Sequence, residues 1–357
     1  MFTRLSESVF VGKRKSIETG HCHFMMLDVQ YQMATTKHLS PRGERTMELS
    51  LLLLENLLAM LLMAIVGYVV ARHGLINEKE CAAFSRLVVN IFMPCMIVKS
   101  MQIDLTEERI RGFLILLVFS VIVHIVWILA GKGIGKAMKL SAVEQATLIY
   151  SNAGNLIIPL VSALFGEEYV FYSCVFTLVQ LVFMWTHGIS LIRESNQVEW
   201  KKILLNPNIL AVLAGAFLLL TKLSVPAPVT AAISNFGGMV GPCAMLIIGM
   251  TIAKQDLLSV FKMKRAYLVS FGRLIVFPAM ILGLLFASGY LGKHPEHLIL
   301  FQIGFLAVSA PPAATVSQLA IMYDKDALCA SIYNVMGVAC CVVTMPVMLY
   351  LLQTLFS

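Results

Sequence analysis

Charge is what this chain has least of. Of its 357 residues, 20 are Asp or Glu and 27 are Lys or Arg, 13% together, against roughly 25% in ordinary soluble chains. Hydrophobic residues make up 59% and the mean hydropathy is +0.83. A water-soluble fold of this length has too few polar groups here to coat its surface, whereas a bilayer removes the need for that coat. The acids also avoid the middle of the apolar runs. No isolated Asp or Glu sits at mid-span, which argues against a proton antiporter built on a buried carboxylate pair. Enzyme signatures are missing: neither His-Glu-x-x-His nor Gly-x-Ser-x-Gly occurs. Gly131-Lys132-Gly133-Ile134-Gly135 follows an apolar run rather than a strand, so it reads as a short basic loop and not a phosphate loop. No apolar h-region follows the basic residues at the start, so no signal peptide is expected. Cys95, Cys174, Cys243, Cys329, Cys340 and Cys341 lie inside apolar segments, as small buried side chains rather than a disulfide framework. His21-Cys22-His23 has no second ligand pair at a finger-like spacing. Neither a metal site nor a cofactor is expected.

What is there is apolar and periodic. A spanning helix takes about 20 apolar residues, and ten runs qualify: 49–71, 81–101, 111–130, 142–163, 170–191, 204–221, 228–252, 266–287, 297–320 and 327–353. The expected fold is therefore an all-α integral membrane protein of ten transmembrane helices, with the lipid bilayer as its main partner. Residues 1–46 stand apart as polar and basic, and read as a disordered tail or as sequence upstream of a true start at Met47. A short linker, 192–203, divides the remainder into 47–191 and 204–357, five spans each. The net charge of +7 lies in short loops, so it speaks of orientation and not of nucleic acid. Loops after the odd-numbered spans hold 13 Lys and Arg and the other loops hold four. The richer side is expected to be cytoplasmic, with both termini on the far side of a cell inner (plasma) membrane.

The two halves carry the same landmarks in the same order. Met93-Pro94-Cys95 lies in the second span and Gly241-Pro242-Cys243 in the seventh. Asn152, Gly154, Asn155 and Pro159 interrupt the fourth span; Pro311-Pro312 interrupts the ninth. Five spans per half make the repeat inverted, and interrupted helices at matching places point to a transport site. Proline opens a helix. The freed N–H groups, together with the partial positive charge of a half-helix N-terminus, suit an anion. Candidate substrate-binding residues are Asn152, Asn155, Pro159, Pro311, Pro312 and Gln318, with Asn90 and Asn334 from spans two and ten. One proline kink alone favours plain packing; two in symmetric positions favour function. His124 and His187 are expected to be satisfied by neighbouring carbonyls. Arg273 and Lys99 are expected to snorkel to the interfaces, and Glu144 to suit a helix N-terminus. Gly215, Gly237 and Gly238 form small-residue faces that allow a homodimer.

Asn90-Ile91-Phe92-Met93-Pro94-Cys95, Ser151-Asn152-Ala153-Gly154-Asn155 with Phe165-Gly166, Trp185-Thr186, Asn206-Pro207, Pro242 with Gly249, and Thr344-Met345-Pro346 together resemble the auxin efflux carrier family. The likeness covers Met47 to the C-terminus and is closest to short bacterial members, permeases for malate- or malonate-like acids. It implies an inverted five-plus-five fold like the sodium/proton antiporters and bile-acid symporters, with broken, crossing helices four and nine. It also implies a scaffold of spans one, two, six and seven beside a transport domain. A small organic anion is the implied substrate, moved by elevator-type alternating access, with coupling to H+ or Na+ left open. A sodium-coupled symporter of the same fold and a non-transporting membrane sensor are the alternatives.

Overall fold

The computed structural model describes residues 42–104, 106–194, 204–223, 225–253 and 262–356. The expectation for residues 1–46 falls almost wholly outside them, as does most of the linker 192–203. Among the described residues the protein is all helix, apart from a single isolated bridge. The helices are α1 (Arg42–Arg72), α2 (Lys79–Ser100), α3 (Glu107–Met138), α4 (Ala142–Ile149), α5 (Ala153–Phe165), α6 (Glu167–Arg193), α7 (Pro207–Thr221), α8 (Ala227–Ile252), α9 (Lys264–Ser288), α10 (Pro295–Ser309), α11 (Ala314–Met322) and α12 (Ala327–Phe356). Seven are long and apolar enough to cross a membrane: α1, α2, α3, α6, α8, α9 and α12. The helices α5, α7 and α10 are apolar but shorter.

Local chemistry sets the ends. Asn77 and Glu80 form a reciprocal capping box just ahead of α2, and Ser141 and Glu144 do the same for α4, each satisfying two orphan N–H groups. Thr106 accepts from Arg109 N–H to start α3. Asp326 starts α12 by accepting from Cys329 N–H at 3.0 Å; hydrogen bonds from the Cys329 thiol and N–H hold its carboxyl below the usual range. Gly166 turns the chain between α5 and α6 at φ +103°, a conformation open to glycine and costly for other residues.

One expectation is corrected here. Residues 131–135 are not a loop but part of α3, which runs on to Met138. Each helical glycine costs only about 1 kcal/mol, and two of these are needed for packing. A Cβ on Gly131 would press on the Ile149 side chain, and one on Gly135 would collide with Gln145.

Two groups of helices result. In one, α2 packs on α7 and α8, with Phe92 stacked on Phe236 at 5.6 Å, and α1 lies backbone to backbone against α8. A Cβ on Gly249 would collide with the Ala64 carbonyl, the small-residue contact that membrane helices use when no hydrophobic force drives them together. In the other group, α3 packs on α6, α10 on α12, and α9 on α12. In the first group Gly215 of α7 and Gly237 of α8 serve the internal packing, their open faces filled by Met101, just past α2, and by Met96 of α2. Large side chains such as Leu129, Phe217, Leu220, Phe286 and Val343 stay more than half exposed, as a lipid-facing surface requires.

Candidate functional site at the helix crossover

The chain leaves the helical path at two places, and the two meet. Helix α4 ends at Tyr150, whose ψ of 130° is extended. Between α10 and α11, Pro311 and Pro312 lack N–H groups and push the residue before them out of the helical region; Ala310 has ψ 152°. The two stretches pair in antiparallel fashion, Ser151 opposite Pro312. Asn152 N–H donates to Pro311 O at 2.8 Å and Ala313 N–H to Tyr150 O at 3.0 Å. Lipid could satisfy none of these groups.

Side chains complete the crossover. Gln180 of α6 closes on Ser151: its Oε1 accepts from the Ser151 N–H (3.2 Å) and hydroxyl (2.7 Å), and its Nε2 donates to the Ser151 carbonyl (2.6 Å). Asn334 Nδ2 of α12 donates to Pro312 O at 3.2 Å. Gly337, three residues on, leaves room for the Pro312 ring, which a Cβ there would strike. The Tyr150 hydroxyl donates to Phe183 O, so His187 Nδ1, 2.9 Å away, carries the proton between the two rings. His124 Nδ1 lies 2.7 Å from Ser120 O of its own helix, and its ring stacks on Phe183 of α6 at 5.3 Å.

Four half-helix ends converge here. The C-terminal ends of α4 and α10 share one cation. Arg273 of α9 is fully buried. It donates from Nη1 to Leu148 O (3.3 Å), from Nη2 to Val308 O (3.0 Å) and from Nε to Ala310 O (3.1 Å), with its guanidinium 4.4 Å from the Trp127 ring centre. Snorkelling was the expectation, and the structure overturns it. Orphan carbonyls at two helix ends, plus an aromatic face, hold the guanidinium inside. Its unit charge offsets two helix C-termini of roughly −0.5 each. Among the described residues no charged side chain lines the cavity beside the positive N-terminal ends of α5 and α11.

Beside those N-termini lies a cavity of about 270 Å³, walled by α2 and α8 on one side and by α5, α11 and α12 on the other. Asn155, Ser317, Gln318 and Asn334 line it, along with Ser85, Thr251 and Ser331; among the described residues no carboxylate, ammonium or guanidinium does. The Asn155 Oδ1 and the Ser317 hydroxyl are buried without a partner, as is Asn152 Nδ2. Each such group costs about 1–3 kcal/mol until a ligand or water satisfies it. Of the residues singled out from the sequence, Asn155, Gln318 and Asn334 reach the cavity. Asn152, Pro311 and Pro312 build the crossover behind it. Pro159 packs against Gly241 of α8, outside the wall. Asn90 is exposed, donates back to Arg86 O at 2.8 Å and does not reach the cavity. Sequence reasoning passed over Ser85, Thr251 and Ser331. Only Ser331 carried a signal, standing three residues before Asn334 on the same helix face.

Residues 52–199 and 191–349 match the family described as membrane transport protein. The chain belongs to that family. This bears out the likeness to auxin efflux carriers and makes the protein a transporter and not an enzyme. A relative from Methanothermobacter thermautotrophicus, described as an uncharacterized transporter, is 25% identical over 290 residues, which is 76% of this chain and 89% of the relative.

The transporter's two ends differ. At one end, which carries the α1–α2, α3–α4, α8–α9 and α11–α12 connections, the cavity wall includes Cys81 and Ser85 from the first turns of α2, Thr251 from the last turn of α8 and Ser331 from the second turn of α12. Buried Glu144 pairs there with Arg265 and accepts from Tyr333 OH at 2.8 Å, and Lys325 pairs with Glu194 at 3.0 Å. At the other end, Lys99 of α2 pairs with Glu167 of α6 at 2.6 Å and Arg109 lies 3.8 Å from Glu168. Lys99 therefore bridges the two groups of helices instead of reaching alone to an interface.

Proposed function

We propose that this transporter is a carrier of small organic anions, carboxylates foremost, working by elevator-type alternating access. One observation carries the reading. The N-termini of α5 and α11 face a cavity with unpartnered Asn155 and Ser317 and, among the described residues, no carboxylate in its wall. Such ends attract an anion by about 0.3–1 kcal/mol each, and up to ~2 when partly buried. The cavity is at the small end of ligand pockets, which favours short acids over bulky ones. In this reading the chain spans the membrane ten times as an inverted repeat. Helices α1, α2, α7 and α8 form the scaffold and the remainder moves. The basic end faces the cytosol of an inner-membrane protein, and the cavity extends toward it.

Uptake into proteoliposomes tests this, with labelled malate, malonate, lactate and indole-acetate offered under proton, sodium or no gradient. Saturable uptake of one acid, reduced tenfold or more by Asn155→Ala and by Ser317→Ala, supports the site. Uptake that requires sodium selects the symporter. Failure of every acid under every gradient removes the organic-anion reading.

A further inference from the structure

Away from the crossover, His294 ahead of α10 and Glu296 and His297 in the first turn of α10 come together, their ligating atoms all within 4.8 Å of one another. His294 Nδ1 is 3.1 Å from Glu296 Oε1, and His297 Nε2 is 4.0 Å from the same oxygen. A tetrahedral ion bound at 2.0–2.2 Å spaces its ligands about 3.4 Å apart, so shifts below an ångström would seat one. A second feature is independent of the cluster. Tyr290 OH lies 3.1 Å from His297 Nδ1, and its ring stacks on the imidazole at 5.8 Å between centres. That contact fixes the ring and leaves Nε2 as the free nitrogen turned to Glu296, the outer-shell support that metal-ligating histidines have. His297 is also the sheltered member, 15% exposed, while His294 and Glu296 stay open to solvent at 47% and 60%, so an ion has a way in.

The surroundings favour a cation. Glu296 and His297 edge a cavity of about 920 Å³ that also takes in Asp104, Glu107, Glu108 and Glu168, against only Arg109 and Arg111. Arg109 is already engaged by Glu168 and by the Asp104 carbonyl at 2.6 Å.

We infer that His294, Glu296 and His297 form a binding site for a borderline divalent cation of the Zn2+ type, at the end of the molecule opposite the transport cavity. Two imidazoles and one carboxylate suit zinc and leave a fourth position for water. The inference is independent of what the protein transports. Calorimetric titration of metal-stripped full-length protein in detergent with zinc chloride tests it. The expected result is one saturable site per chain, weakened tenfold or more by His294→Ala, by His297→Ala and by Glu296→Gln, and by about tenfold in Tyr290→Phe, where only the support is lost. The control His21→Ala/His23→Ala should retain it. Elution volume and unfolding midpoint of each variant, unchanged without metal, show that the loss is local. Absence of saturable binding overturns the inference, and so does binding that survives His294→Ala/His297→Ala or disappears only with His21→Ala/His23→Ala.

Discussion

Single residues decide the electrostatics of this molecule. Arg273 donates to three carbonyls at the ends of two different helices, so replacing it removes that donor from all three. Arg273→Met should destabilise the protein by about 3 kcal/mol, given ~1–3 kcal/mol per buried unsatisfied group. Arg273→Lys should fall between the two, because an ammonium keeps the charge but not the fork that spans three oxygens. Unfolding midpoints in detergent, ordered wild type, Lys, Met, check this; equal midpoints for Lys and Arg would show that charge alone matters. Asn155 gives the complementary case. Asn155→Asp keeps the shape and places a carboxylate where two helix N-termini favour one. The variant should fold as well as wild type yet lose anion uptake, since it carries its own anion. Undiminished uptake of carboxylates by Asn155→Asp would move the site elsewhere.

At the scale of elements, helix breaks and glycines matter more than helix propensity. Tyr150–Asn152 and Ala310–Ala313 form one antiparallel crossing only because Gly337 lets Pro312 sit against α12. Gly337→Val should displace that crossing and abolish transport, while changing helix content little by circular dichroism. Gly249→Val should instead part α1 from α8, where the Ala64 carbonyl occupies the space; its signature is a lowered unfolding midpoint. The breaks themselves were legible in the sequence, since Asn152, Asn155 and Pro311-Pro312 stand out in apolar runs. That they touch was not, because nothing local encodes a contact between residues 151 and 312. Arg273 was misread for a related reason. Near the end of an apolar run an arginine normally has water within reach, and only the fold supplies carbonyls at its tip. Residues 131–135 read as a loop in sequence because of their three glycines and Lys132, whereas their packing partners Ile149 and Gln145 lie on another helix. Four turns wound with π geometry, at Val88–Phe92, Ala153–Ile157, Met184–Gly188 and Gly272–Val276, carry cavity-wall valines, Asn155, His187 and Arg273. Such π-turns are frequent at functional sites in general and have no sequence signature of their own.

For the whole molecule, the question is what holds the cavity toward one end. Lys99 and Glu167 join the two helix groups at the far end, with side chains 28% and 65% exposed. A pair so open to water contributes about 0–1 kcal/mol. In the proposed alternating-access cycle the carrier crosses between two states, so a strong lock would be a fault; a contribution of this size biases that equilibrium by up to about fivefold without freezing it. Reversing one charge should therefore move populations measurably. With Ser331→Cys as a reporter in the cavity wall and Cys81→Ala/Cys329→Ala to remove the neighbouring thiols, maleimide labelling from the basic end should slow by up to about fivefold in Lys99→Glu, where like charges repel. Labelling should recover in Lys99→Glu/Glu167→Lys, where attraction returns with its sign reversed. Recovery in the double variant separates this pair from a general loosening of the structure, because a merely damaged protein gains nothing from a second substitution. If Lys99→Glu labels at the wild-type rate, the pair is a bystander and closure at that end rests on apolar packing alone.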